Sequence, residues 1–120
     1  MARVLIVDDS ATEVQALTAI LEGAGHEIMA AKNAEEGLAL ARSELPDLVL
    51  MDIVMPGLNG FQATRQFNKD ATTKDIPVIV VSTKGGETDK VWGKRQGARD
   101  YLVKPVDGPT LLNAVSNALN

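Results

Sequence analysis

The sequence predicts a doubly wound α/β domain, a parallel sheet with helices on both faces, and three observations predict it. Five short apolar runs alternate with five stretches of helical pattern along the chain. The changes between them are marked by Gly, Pro or capping residues, so the connections are short. Parallel strands need crossovers, and right-handed ones dominate, so this alternation wraps helices over both faces of one sheet. A length of 120 residues suits a single domain, 1–120, with no room for an output module.

Arg3–Val7 is the first apolar run. Ser10-Ala-Thr-Glu13 is a capping-box signature for a helix whose inner face carries Val14, Leu17, Leu21 and Ala24, stopped by Gly23 and Gly25. His26–Ala30 is a weaker strand, with His26 an edge side chain, and Asn33 caps a helix aligning Ala34, Leu38, Ala41 and Leu45 up to Pro46. Asp47–Met51 forms the third strand. Gly57–Gly60 then leads into a helix with Phe61, Thr64 and Phe67, and the polar run Asn68–Asp75 reads as a loop. Pro77–Ser82 is the fourth strand, and Lys84-Gly-Gly86 turns into a weakly patterned helix that ends near Gln96 at Gly97. Arg99–Val103 is the fifth strand, and Asp107 caps a final helix with Leu111, Leu112, Val115, Ala118 and Leu119 inward.

Composition narrows the function classes. There is no cysteine, which excludes disulfides and Cys-based zinc and suits a cytoplasmic location. The first apolar run is too short for a signal sequence or a membrane span. A net charge of −4 argues against a nucleic-acid binder, yet residues 84–104 carry six Lys/Arg and three Asp/Glu, a local +3 that suits an acidic protein partner.

In doubly wound folds the working site lies beyond the carboxyl ends of the strands. Those ends hold Asp8-Asp9, Asp52, Ser82-Thr83 and Tyr101-Leu-Val-Lys104-Pro105. Asp52 closes the buried run Leu48–Met51, where an unpaired carboxylate is costly. Three clustered carboxylates raise one another's pKa unless a cation joins them, and oxygen ligands without His or Cys suit Mg²⁺. A metal on one side and the Lys104 ammonium on the other would neutralise the oxygens of a phosphoryl group while Asp52 attacks it, with the Ser82 hydroxyl on a third oxygen.

Asp8-Asp9, Leu50-Met-Asp52-Ile-Val-Met-Pro56 with Gly60, Val80-Val-Ser82, Gly97-Ala98 and Tyr101-Leu-Val-Lys104-Pro105 resemble the receiver domain of two-component response regulators, across essentially the whole chain. The resemblance implies a flavodoxin-like five-stranded sheet of order 2-1-3-4-5 with five helices, an order the chemotaxis members of the family exemplify. It implies Asp52 as phosphoacceptor, and Asp8, Asp9, Asp52 and the Val54 backbone carbonyl around Mg²⁺ (or Mn²⁺), with Asp9 and the carbonyl as direct ligands. It further implies Lys104 as the phosphoryl-contacting lysine, Ser82 and Tyr101 as the switch pair, and a cis Lys104-Pro105 bond. A one-residue misregister would exchange Ser82 and Thr83.

The stretches Met51–Arg65 and Glu87–Tyr101 are similar to the single-domain regulators of type IV pilus twitching motility. That similarity implies a chemotaxis-type histidine kinase as phosphodonor, an effector protein downstream and a monomer that catalyses only its own phosphorylation and dephosphorylation. A phosphate sink for the kinase is the alternative reading. Val54 and Lys84, two residues beyond Asp52 and Ser82, depart from the commonest family pattern at positions that tune the phosphoryl lifetime. Two other classes fit worse. A haloacid-dehalogenase-like phosphatase has a second Asp where Val54 stands, and a flavodoxin-type phosphate loop would not hold Asp8-Asp9.

Overall fold

The computed structural model describes all residues from Met1 to Asn120. Five strands, β1 (Arg3–Val7), β2 (Glu27–Ala31), β3 (Leu48–Met51), β4 (Val78–Ser82) and β5 (Asp100–Val103), form one parallel sheet in the order β2-β1-β3-β4-β5. Between and after them run α1 (Ala11–Gly23), α2 (Ala34–Glu44), α3 (Gly60–Lys69), α4 (Glu87–Arg95) and α5 (Gly108–Leu119). This is the flavodoxin-like order that the family resemblance implies.

Alternation along the strands divides the interior into layers. Val4, Ile6, Leu48, Leu50, Ile79 and Val81 face α1 and α5, meeting Leu17, Leu21, Leu111 and Val115. Leu5, Val7, Val49, Met51 and Val78 face the other way, toward Leu38 and Ala41 of α2 and Ala63 and Phe67 of α3. The central strands are therefore apolar on both sides, as buried parallel strands must be. Under α4 the packing is thinner, a small cluster of Ile53, Val80, Ala98 and Tyr101 with Phe61 against it.

Several boundaries differ from the sequence expectation. His26 does not begin β2, because its amide donates to the Leu21 carbonyl in the turn leaving α1, while its Nδ1 accepts the Ala2 amide. β3, β4 and β5 each start one residue later than expected, at Leu48, Val78 and Asp100. Leu45 is not on the inner face of α2. It is the C-cap, left-handed at φ 48° and 55% exposed, because the following Pro46 disfavours the helical conformation there. Leu119 is likewise at the surface and Leu112 only half-buried. Helix α3 runs through Asn68 to Lys69, past the point where the polar run suggests a loop.

The Ser10 capping box is half formed. The Ser10 hydroxyl accepts the Glu13 amide at 3.3 Å, but the Ser10 amide donates to Asp8 Oδ1 at 2.9 Å rather than to Glu13. A complete box stands instead at α3, where Asn59 and Gln62 cap each other's amides. No helix is long and apolar enough to cross a membrane.

Candidate functional site

The strand register brings Val7, Met51, Ser82 and Val103 to one edge of the sheet, and the residues that follow them gather there. Asp8 is buried and its amide donates to the Ala31 carbonyl, while the Asp52 amide donates to the Val7 carbonyl at 3.0 Å. These two bonds continue the sheet ladder for one residue on each chain. Both carboxylates are thus held by backbone rather than by loop chance.

One carboxylate oxygen from each of Asp8, Asp9 and Asp52 lies within 4.8 Å of the others. Asp9 is exposed, whereas Asp52 is 8% exposed and Asp8 4%. The Lys104 ammonium reaches over from the end of β5, 2.7 Å from Asp8 Oδ2 and 3.8 Å from Asp52 Oδ1. Burial, reinforced by the negative charge of Asp8, pushes the Asp52 carboxyl above its ordinary value, against the pull of Lys104 and of the Ile53 amide at 2.9 Å. One lysine does not neutralise three carboxylates.

That imbalance is what a divalent cation fits. Both Asp8 oxygens already have partners in the Ser10 amide and Lys104, which leaves Asp9 and Asp52 with oxygens to give. The donor set is all oxygen, as Mg²⁺ prefers. Val54 stands exposed just beyond Asp52, on the rim of a recess of about 270 Å³ that it shares with Lys84 and Asn59.

The mouth is shaped by Gly60. A Cβ there would sit 2.1 Å from the Asp52 carbonyl oxygen, and the Gly60 amide donates to the Ile53 carbonyl at 3.0 Å. Only glycine lets α3 begin this close to the backbone that carries Asp52.

Ser82 is fully buried as the last residue of β4, and Thr83 beyond it is exposed. The Ser82 hydroxyl oxygen accepts the Lys84 amide at 3.2 Å. The Tyr101 hydroxyl donates to the Lys84 carbonyl, with its ring packed inward beside Ile53, Val80 and Ala98. A single residue of the β4–α4 loop is therefore gripped from both sides. Burial, with the nearby charge of Asp89, raises the Tyr101 hydroxyl above its ordinary value, which keeps it a donor. The Lys104-Pro105 bond is cis.

All the side chains expected from the sequence thus stand at one edge. Two participants were not expected. Glu13, expected only as a capping residue, lies 3.9 Å from the Lys104 ammonium, and the Lys84 backbone links Ser82 to Tyr101. No local pattern marks either, since each depends on a partner distant in sequence.

The sequence matches the response regulator receiver domain family over residues 4–116. The chain belongs to that family. It is 68% identical to protein PilH of Pseudomonas aeruginosa over 99% of this chain and 98% of that protein. Response regulator PleD of Caulobacter vibrioides is 39% identical, but the receiver spans only 25% of it. Among solved structures, a response regulator from Chloroflexus aurantiacus superimposes with a TM-score of 0.95 at 34% identity, covering 98% of this chain and 97% of that one. Chemotaxis protein CheY4 of Vibrio cholerae follows with a TM-score of 0.92 at 34% identity, covering 99% of both chains. The receiver is therefore of the PilH type, with the fold of the chemotaxis regulators.

Proposed function

We propose that this receiver accepts a phosphoryl group from a chemotaxis-type histidine kinase onto Asp52 and signals through protein contacts in the control of pilus-driven twitching motility. The observation that carries the chemistry is the crowding of Asp8, Asp9 and Asp52 around one lysine. The 68% identity to PilH over the full length supports the setting.

In the transfer, an Asp52 carboxylate oxygen forms the new P–O bond as the P–N bond to the kinase imidazole breaks, and the imidazole nitrogen keeps the electron pair and takes a proton. Such transfers ask the protein chiefly for position and charge neutralisation. Asp8, Asp9, Asp52 and the Val54 carbonyl would hold Mg²⁺, which supplies Lewis-acid neutralisation of the phosphoryl oxygens. Lys104 already lies 3.8 Å from Asp52 and exchanges its bond to Asp8 for one to the phosphoryl group. Ser82 turns its hydroxyl from the Lys84 amide to another phosphoryl oxygen. Freed on that side, the Lys84 peptide shifts and Tyr101 moves with it, which carries the event to the surface of α4 and β5.

Transfer of labelled phosphate from a chemotaxis-type kinase, with Mg²⁺ and with excess EDTA, tests the reading. Label is expected on the wild type with metal and not on Asp52→Ala. Label that persists on Asp52→Ala, or transfer indifferent to EDTA, overturns it. The decay rate of the label separates a signal carrier from a phosphate sink.

A further inference from the structure

A groove of about 560 Å³ separates the C-terminal halves of α3 and α4, lined by Arg65, Asn68, Lys69, Arg95, Gln96 and Gly97. None of these residues is apolar and none is acidic. The chain's ion pairs engage only Arg3, Arg42 and Lys104 of its 12 Lys and Arg, so Arg65, Lys69 and Arg95 are unpaired like most of the others, but here three of them share one space. Cations in a last helical turn offset the helix dipole, which accounts for Lys69 and Arg95 singly. It does not account for Arg65, mid-helix in α3, or for all three facing one space without a carboxylate among them.

The groove is also a fixed structure. The Asn68 amide nitrogen donates to the Thr64 carbonyl at 3.0 Å and to the Gln96 carbonyl at 2.9 Å, tying the end of α3 to the end of α4. Gly97 makes this possible: its φ is 103°, and a Cβ there would lie 2.1 Å from the Asn68 nitrogen. Outside the lining, Trp92 of α4 is half-exposed and has the guanidinium of the groove residue Arg95 5.9 Å from its ring centroid.

We propose that this groove docks an acidic segment of a partner protein, and does so whether or not Asp52 is phosphorylated. Charge complementarity selects the occupant, because two arginines and a lysine offer forked and single donors to carboxylates while the walls give an apolar ligand nothing to bury against. Three cations on a chain of net charge −4 are too few for a nucleic acid. Independence from Asp52 rests on the groove's place at the far ends of α3 and α4, away from the Lys84 end of α4 where the Tyr101 hydroxyl is held. Each helix runs back against its strand, so the ends of α3 and α4 lie at the edge of the sheet opposite the carboxylates. The proposal goes beyond the signalling reading and stands without it.

The chain has one tryptophan, Trp92, beside the groove residue Arg95, and its fluorescence gives the readout together with backbone amide shifts. The full chain is titrated with a peptide of alternating Glu and Ala, its Gln counterpart, and a single-stranded oligonucleotide. The Glu peptide is expected to saturate and to shift amides of residues 65–69 and 92–97, while the Gln peptide does neither. Arg65→Gln with Arg95→Gln weakens binding at least about tenfold, and Lys32→Gln with Lys90→Gln, the same change of charge elsewhere, less than about twofold. Equal losses in the two double variants, tighter binding of the oligonucleotide, or no saturation overturns docking of an acidic segment. A change in affinity on kinase-treated protein, with label on Asp52 measured in parallel, overturns the independence. Absence of label would count against the phosphoryl reading alone, since the groove is titrated on unmodified protein.

Discussion

Lys104 is the residue on which the site's charge balance turns. Its side chain is 8% exposed, and its ammonium is the one cation among Asp8, Asp52 and, farther out, Glu13. Removing one partner from a buried ion pair leaves the other charge uncompensated, typically at a cost of about 3–5 kcal/mol. Lys104→Met, which keeps an unbranched side chain one atom shorter and without the charge, is therefore expected to lower stability by about 3 kcal/mol without divalent metal. Millimolar Mg²⁺ should restore part of that loss, because it supplies the missing positive charge, and should do more for the variant than for the wild type. Thermal melts with and without Mg²⁺ measure both effects, and an equal Mg²⁺ increment in the two proteins would show that Lys104 does not share the metal's task. The lysine is legible in the sequence because it follows the end of a predicted strand, and Asp8 and Asp52 are legible for the same reason of position. Glu13 was legible only as a cap, since nothing within α1 reveals that a lysine from the far end of the chain reaches it.

Among the elements, α4 is the least anchored. Its buried residue is Gly93, its N-cap Gly86 makes no side-chain bond, and Val91 and Trp92 stand half in solvent. Few buried apolar contacts mean a low free energy of local opening. Amide exchange is thus expected to be fastest, among the helices, in α4, with α2 and α5 the more protected, and equal protection in all five would contradict this. The weak helical pattern of residues 87–96 already carries that message at the level of sequence. The end of α3 carried no such message. A run of polar residues reads as loop, but Asn68 spends its amide on the Thr64 and Gln96 carbonyls and keeps the helix intact. The next residue but one, Asp70, ties α3 to its other neighbour. Its carboxyl is held below the ordinary value of 3.8, first by the Thr72 amide and then by Arg42 of α2. A depressed folded-state pKa gives stability that is present above the unfolded value and lost as pH falls through the folded one. Asp70→Asn should therefore lower the melting temperature slightly at neutral pH, and the gap to the wild type should close as pH falls below about 3.8, the ordinary value. A gap that stays constant down to acid pH would assign the effect to something other than the charge.

At the scale of the molecule, the two main cores share the same strands, Leu50 facing one and Met51 the other, so neither layer can open without exposing the sheet that supports its partner. Such an arrangement favours a single cooperative transition. The fold was legible because this alternation and the turn chemistry agree at every level, whereas the pairing of distant side chains is a product of the fold and had to await it. The same cooperativity makes the candidate metal site measurable through the whole protein. Asp8, Asp9 and Asp52 converge only when β1 and β3 are paired, so an ion held there binds the folded state and not the unfolded one. Stability should then rise with the logarithm of free Mg²⁺ once the site begins to fill, by about 1.4 kcal/mol for each tenfold above the dissociation constant. In urea titrations followed by circular dichroism and by Trp92 fluorescence, the midpoint should move upward with Mg²⁺ while the slope stays unchanged, since the ion alters affinity for the native state and not the surface exposed on unfolding. Asp9→Asn removes a candidate ligand and one of the three crowded negative charges, from an exposed side chain, so it should flatten the Mg²⁺ dependence while raising the metal-free midpoint. If the variant kept the full dependence, the ion would have to be held by groups other than these three carboxylates, and the charge crowding at Asp52 would need another source of relief.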